Sequence, residues 1–167
     1  ERVSPPFVAA LAPWLGRRAG TVLEIGAGTG QQAAACALAF PDLAWIPSDP
    51  DPEHRRSIAA WQEALRAPEQ PVLDLNGGGD WPALAPVAAL GPLDAVVSMN
   101  VVHIAPPAVA EGIVAGAGRA LAPGGLLIFY GPFVVNGRMI GPGNAAFDAR
   151  LRAENADWGL RDTADIE

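Results

Sequence analysis

Lysine is absent from this 167-residue chain, and all 11 basic residues are arginine. Tyrosine and cysteine occur once each, methionine and histidine twice. A lone cysteine, Cys36, excludes an internal disulfide and fits a reducing, cytoplasmic compartment. It falls on the apolar side of a helical stretch, where a small core residue is expected. The 11 basic residues are outnumbered by 18 acidic ones and form no stripe, so a nucleic-acid partner has no electrostatic footprint. No apolar run is long enough to cross a bilayer and no signal peptide opens the chain, which argues against a membrane partner. Neither a zinc-like Cys/His cluster nor a Ser-His-Asp order stands out, so no metal or triad chemistry is expected. The chain does not begin with methionine, and a trimmed N-terminus is expected.

What is present points to an α/β domain. Half of the residues are hydrophobic and only 17% are charged, as suits a buried sheet. The 19 glycines and 17 prolines are spread among the elements, which reads as one loop-rich folded domain over residues 1–167. Val22-Leu23-Glu24-Ile25-Gly26-Ala27-Gly28-Thr29-Gly30 reads as a buried strand that breaks into a glycine loop, with a helix from Gln31 to Phe40 behind it. Glycines let a ligand lie against bare backbone, and the helix start offers free N–H groups and a positive dipole end. The dinucleotide fingerprint needs G-x-G-x-x-G, but here Gln31 stands where its last glycine belongs. Glu24 adds a carboxylate that the spacing places at the mouth of the loop. It would repel a pyrophosphate and suit a ligand carrying ammonium and sulfonium charges.

The remaining elements alternate. Pro5–Leu15 is predicted as an amphipathic helix over a sheet edge, with a lid role as the alternative. Strands are predicted at 43–46, 71–75, 93–100 and 126–130, helices at 53–66 and 107–121, and a broken helix at 81–90. Right-handed crossovers between such strands give a doubly wound, mostly parallel sheet, whose ligands collect outside the carboxyl ends of the strands. Gly26, Asp49, Asp74, Asn100 and Tyr130 all end strands. Asp49 follows the glycine loop at about the 20-residue distance of a ribose-binding carboxylate; the competing reading is a turn residue. Asp51 is the expected cap of the next helix. Asp74 is either a ligand group at the same edge or a turn former, and His54 is expected to be a solvated surface group. If Glu24, Asp49 and Asp74 do not share one hollow, this reading loses its foundation.

The pattern Glu24-x-Gly26-x-Gly28-x-Gly30 resembles motif I of the class I S-adenosylmethionine-dependent methyltransferases. Further motifs extend the likeness over most of the chain: Phe40-Pro41, Pro47-Ser48-Asp49, Leu73-Asp74, Asn100-x-x-His103-Ile104-x-Pro106, Tyr130-Gly131-Pro132-Phe133, Asn136-Gly137 and Trp158-Gly159-Leu160-Arg161-Asp162. Together they resemble a methyltransferase-like family of bacteria and animals that is classed as a domain of unknown function. The family often has His after the loop's Gln, where this chain has Gln32. The fold ordinarily ends in two further strands, and the sheet is expected to lack the last one or two of them here. The resemblance implies S-adenosylmethionine as cofactor, held by Glu24, Gly26, Ala27, Gly28, Gly30, Gln31, Asp49, Asp74, Leu75 and Asn100, with Asp74 on the adenine amino group and Leu75 against the ring.

Methyl transfer is largely a matter of proximity and orientation, with a base needed only for a nucleophile of high pKa. His103 is the candidate base, with a structural helix cap as its alternative. Tyr130 either faces the substrate or closes the core. Residues 133–144 read as a mobile loop over the cleft, with Asn136 a substrate contact. Trp158 is placed with the substrate as well. Arg161 either grips a substrate carboxylate or phosphate or pairs with Asp162 or Asp165. The expected activity is methyl transfer to an unidentified small molecule. A non-catalytic binding module on the same fold is the rival. A nicotinamide-dependent oxidoreductase is disfavoured by the loop spacing. A protein or RNA methyltransferase is disfavoured by the acidic balance and the lack of an N-P-P-aromatic signature. Assembly into a homo-oligomer is left open.

Overall fold

The computed structural model describes residues 5–167. Its centre is a four-stranded, all-parallel sheet built from β1 (Gly20–Ile25), β2 (Leu43–Ser48), β3 (Leu93–Met99) and β4 (Leu121–Tyr130), in the spatial order β2-β1-β3-β4. The helices are α1 (Pro6–Leu15), α2 (Gln31–Ala39), α3 (Pro52–Leu65), α4 (Ala85–Ala88), α5 (Pro107–Ala120) and α6 (Asn144–Glu154), and a small hairpin pairs β5 (Val134–Val135) with β6 (Arg138–Met139). β1 is central, and the chain leaves it for β2 on one side and returns to β3 on the other. That reversal is the topological switch point at which open α/β sheets bind ligands.

Period-2 alternation assigns each strand residue to one of two cores. Val22, Trp45, Ala95 and Val97 pack with α1, α2 and Ile58 of α3. Leu23, Ile25, Ile46 and Val96 pack on the other face with Trp81 and Ile113. β1, β2 and β3 are thus buried on both faces, as expected of a parallel sheet under helices. Among the described residues β4 is an edge strand, its Leu126–Tyr130 run half-buried, and no further strand pairs beyond it.

Element boundaries shift by a few residues from expectation, and one expected strand is missing. Residues 71–75 do not form a strand; only Leu73 bridges to Ser48. Leu73 N–H donates to the Pro47 carbonyl at 3.0 Å and its own carbonyl accepts from Asp49 N–H at 3.0 Å. Pro71 has no N–H to extend the ladder, and the Asn76-Gly77-Gly78-Gly79 run ends it on the other side. The helix expected to reach Leu121 stops at Ala120, and residues 121–125 enter β4 through an irregular pairing opposite Leu93 and Ala95.

The proline-rich segment read only as a broken helix carries a major core residue. Trp81, 1% exposed, opens a short 3-10 turn (Trp81–Ala83) and donates its indole N–H to the Gly112 carbonyl at 3.1 Å. Its ring lies on Gly116, where a Cβ would stand 2.3 Å from the indole. Gly116→Ala is therefore expected to lower stability by about 1–3 kcal/mol, the usual cost of overpacking a rigid core. Thermal unfolding followed by circular dichroism reads this directly, and an unchanged midpoint would show that the ring can shift.

Candidate functional site

The glycine loop follows from β1 and α2 together. Gly26, Gly28 and Gly30 have φ of 75°, 58° and 92°, a region costly to residues with a Cβ. At Gly30 a Cβ would stand 2.5 Å from the Ile58 backbone, so α3 packs directly against the loop. At Gly28 a Cβ would meet nothing within 4 Å, because this glycine faces open space. That space is a cavity of about 640 Å³ at the carboxyl ends of the strands.

The cavity collects parts from the ends of β1, β2 and β3 and from the loop after Leu73. Gly26, Ala27, Gly28, Gly30, Gln31 and Gln32 line it from the loop and the start of α2. Asp49, Asp51 and His54 contribute from the β2–α3 turn, Leu75, Asn76 and Gly77 from the loop after Leu73, and Met99, Asn100, Ile104 and Ala105 from beyond β3. The N–H groups of Gly26 and Ala27 both donate to the Ser48 carbonyl, at 3.1 and 2.8 Å. The N–H groups of these two residues are thus already engaged, and free donors come from the first turn of α2.

Asp49 is the charged centre. Its residue is 5% exposed; Oδ2 accepts the Gly28 N–H at 2.9 Å, and Oδ1 accepts the Asp51 N–H at 2.9 Å. Asp51 in turn caps α3 by accepting from Glu53 N–H at 2.8 Å. His54 keeps the exposed side chain expected of it, and its Nδ1 stands 3.1 Å from Asp49 Oδ1 at the cavity. The Asp49-Pro50-Asp51-Pro52 turn returns the chain on itself, a fold-back that no periodicity reveals.

Glu24 and Asp74 lie elsewhere, so the three carboxylates do not share one hollow and that foundation of the sequence reading falls. Glu24 shares the face of Val22, because the residues are two apart on one strand. Its carboxylate is 1% exposed beneath the loop and accepts the Trp45 indole N–H at 2.6 Å. Burial pushes its pKa up to about 7, against the pull of the Trp45 bond and helped by the charge of Asp49. It is not among the residues that face the cavity. Asp74 sits between buried Leu73 and Leu75, so alternation turns it outward; its side chain is 72% exposed and pairs with Arg55 at 3.1 Å. Asn76, one step along, takes the place in the lining that Asp74 was expected to fill.

Neither catalytic candidate lines the cavity. His103 is 5% exposed in a 3-10 turn (Val102–Ile104), its ring edge-on to Phe147 at 5.7 Å. Burial lowers its pKa, and the nearby Arg161 charge adds to this. Tyr130 is half-buried, and its carbonyl accepts the Asn100 N–H at 2.8 Å.

None of the expected substrate residues lines this cavity. Arg161 makes no ion pair with Asp162 or Asp165 within 4.0 Å; its guanidinium donates to the carbonyls of Val102, Ala105 and Asp157 at 3.1, 2.6 and 2.6 Å. Trp158 is half-buried away from the cavity, its N–H on the Asn155 carbonyl at 3.0 Å. Asn136, with φ of 50°, forms the turn of the β5–β6 hairpin, where Asp162 accepts the N–H groups of Asn136 and Gly137 at 3.2 and 2.7 Å. The segment expected as a mobile loop is thus a pinned hairpin. Among the described residues no group of three or more His, Cys, Asp or Glu could hold a metal ion, and no helix is long and apolar enough to cross a membrane.

A family model described as a protein of unknown function (DUF938) matches residues 1–167. The chain belongs to this family. Solved structures that resemble this DUF938 chain include several named as methyltransferases. An O-methyltransferase family protein from Burkholderia thailandensis superposes with a TM-score of 0.76 at 20% identity, covering 96% of this chain and 47% of its own. The structure of PigF with SAH superposes with a TM-score of 0.76 at 18% identity, covering 98% and 47%. YcgJ from Bacillus subtilis does so with a TM-score of 0.66 at 15% identity, covering 95% and 63%. The DUF938 chain therefore has the class I S-adenosylmethionine-dependent methyltransferase fold, and spans just under half the length of the first two structures.

Proposed function

We propose that the chain binds S-adenosylmethionine in the glycine-loop cavity and transfers its methyl group to a small-molecule acceptor. The observation that carries this reading is Asp49, a carboxylate held at the end of β2 by the Gly28 N–H across the switch-point cavity. The residues fit the cofactor's parts. Asp49 would accept hydrogen bonds from the ribose hydroxyls. Leu75, 1% exposed, and Asn76 would flank the base with one apolar surface and one amide. The unencumbered backbone at Gly28 and the amide of Asn100 would take the amino-acid end. When bound, the cofactor supplies a methyl group on a sulfonium. The chain's part is to hold the reactants and exclude water, and those contributions can carry much of a displacement.

Glu24, beneath the loop, supports the reading in a different way from the one the sequence suggested. Its carboxyl, with a pKa raised to about 7, holds the Trp45 indole under the loop and does not line the cavity. A second reading, a cofactor-binding module without transfer, is favoured by the placement of His103 outside the cavity. Isothermal titration with S-adenosylhomocysteine and NAD in parallel tests the binding. S-adenosylhomocysteine is expected to bind and NAD is not; binding of NAD alone overturns the proposal. Labelled methyl transfer into cell extract then separates the enzyme from the module.

A further inference from the structure

A second hollow of about 520 Å³ opens beside the glycine-loop cavity. Pro6 and Phe7 at the start of α1 form one wall, and Tyr130, Gly131 and Pro132 the other. Two side-chain amides, Gln32 on α2 and Asn100 after β3, line both this hollow and the cavity. The two spaces therefore meet at these amides.

Asn100 is built into that divide under constraint. Its φ of 57° is a left-handed value uncommon outside glycine. Its N–H is fixed by the Tyr130 carbonyl at 2.8 Å. Gly131 lies close beneath Asn100: a Cβ there would stand 3.3 Å from the Asn100 amide oxygen and 3.6 Å from His103 Cε1. The glycine gives the Asn100 side chain its room.

The hollow's chemistry is selective. Among the described residues no carboxylate, guanidinium or imidazole lines it, and its one ionisable group is the Tyr130 phenol. The walls are proline, phenyl and phenol, with the two amides able both to donate and to accept. Apolar walls with a few convergent polar groups are the pattern of a small-molecule site, and the volume lies within the usual range for one. A charged guest would find no ionic partner among these lining residues.

We infer that this hollow receives the methyl acceptor as an uncharged, largely apolar small molecule, with its reacting group turned toward Gln32 and Asn100. This rests on the glycine-loop cavity being the cofactor site. Phe7 acts as a specificity wall, which gives α1 a part in recognition beyond covering the sheet.

The test uses three fluorescent probes of one shape: naphthol, naphthoate and naphthylmethylammonium. Each is titrated into the full chain with and without saturating S-adenosylhomocysteine. Naphthol is expected to bind about tenfold more tightly than either charged probe. Phe7→Ala is expected to weaken naphthol roughly fivefold through lost apolar contact, with S-adenosylhomocysteine binding unchanged. Gln32→Glu places a charge in the hollow at almost constant shape and is expected to raise affinity for the ammonium probe over naphthol. Equal binding of all three probes, or indifference of naphthol to both substitutions, overturns the inference. Displacement of naphthol by S-adenosylhomocysteine also overturns it, because the two would then occupy one space. If S-adenosylhomocysteine fails to bind while the probe preference holds, the cofactor reading falls and the neutral-ligand hollow stands.

Discussion

Asp49→Ala is expected to weaken S-adenosylhomocysteine binding by about two to three orders of magnitude, equivalent to about 3–4 kcal/mol. Two losses combine. The ribose hydroxyls would lose charge-assisted acceptors, which are stronger than neutral ones. The Gly28 and Asp51 N–H groups, now 2.9 Å from the Asp49 oxygens, would also lose their partners, and the loop would no longer be drawn to the end of β2. Asp74→Ala is the matched control. Its carboxylate is exposed and paired only with Arg55, and a surface pair of this kind contributes little. Its removal is expected to change affinity by less than about twofold. Titration calorimetry of both variants, with circular dichroism to verify the fold, decides the matter. Equal losses at the two positions would place the ribose elsewhere.

Glu24→Gln is expected to stabilise the protein above neutral pH and to do little in acid. The pKa of Glu24 rises from 4.5 to about 7 on folding, chiefly through burial. Below the lower value the carboxyl is protonated in both the folded and unfolded states, and no cost arises. Between 4.5 and about 7 the unfolded chain ionises while the native state keeps its proton, so stability falls as pH rises. Above that window the native state carries a buried anion at a cost of about 3 kcal/mol. The groups around it add no compensating positive charge: Trp45 donates one N–H, Asp49 is like-charged, and Cys36 on α2 is a buried thiol whose own pKa is pushed up by burial and by Glu24. Glutamine keeps an acceptor for Trp45 but buries an amide NH₂, so the expected gain is about 1–3 kcal/mol. Urea unfolding near the two ends of the window measures it. A gain of the same size at both ends would mean that Glu24 does not titrate there.

The sequence made some of this legible and hid the rest for physical reasons. The glycine loop, the strand–helix alternation and Asp49 are local signals, and the structure places them together. The convergence of three carboxylates was expected, yet only Asp49 reaches the cavity. The parity that misplaced the other two was available all along. Glu24 is two residues from buried Val22, and Asp74 lies between two leucines of one short extended stretch, so one had to point into a core and the other away from it. His54 could not be found in this way, because its return to Asp49 depends on a proline-framed turn. The hydrophobic anchor Trp81 was masked by neighbouring prolines, and its seat is made by Gly112 and Gly116 some thirty residues later. Such pairings across the chain have no local periodicity.

Arg161 has a mechanical consequence. Its guanidinium clasps the carbonyls of Val102 and Ala105, while the Gly159 N–H holds that of His103. The same short turn supplies Ile104 and Ala105 to the cavity. The segment around residue 160 thus works as a brace on the site's far wall, and a strain applied to that segment is transmitted to the ligand chamber without passing through the sheet.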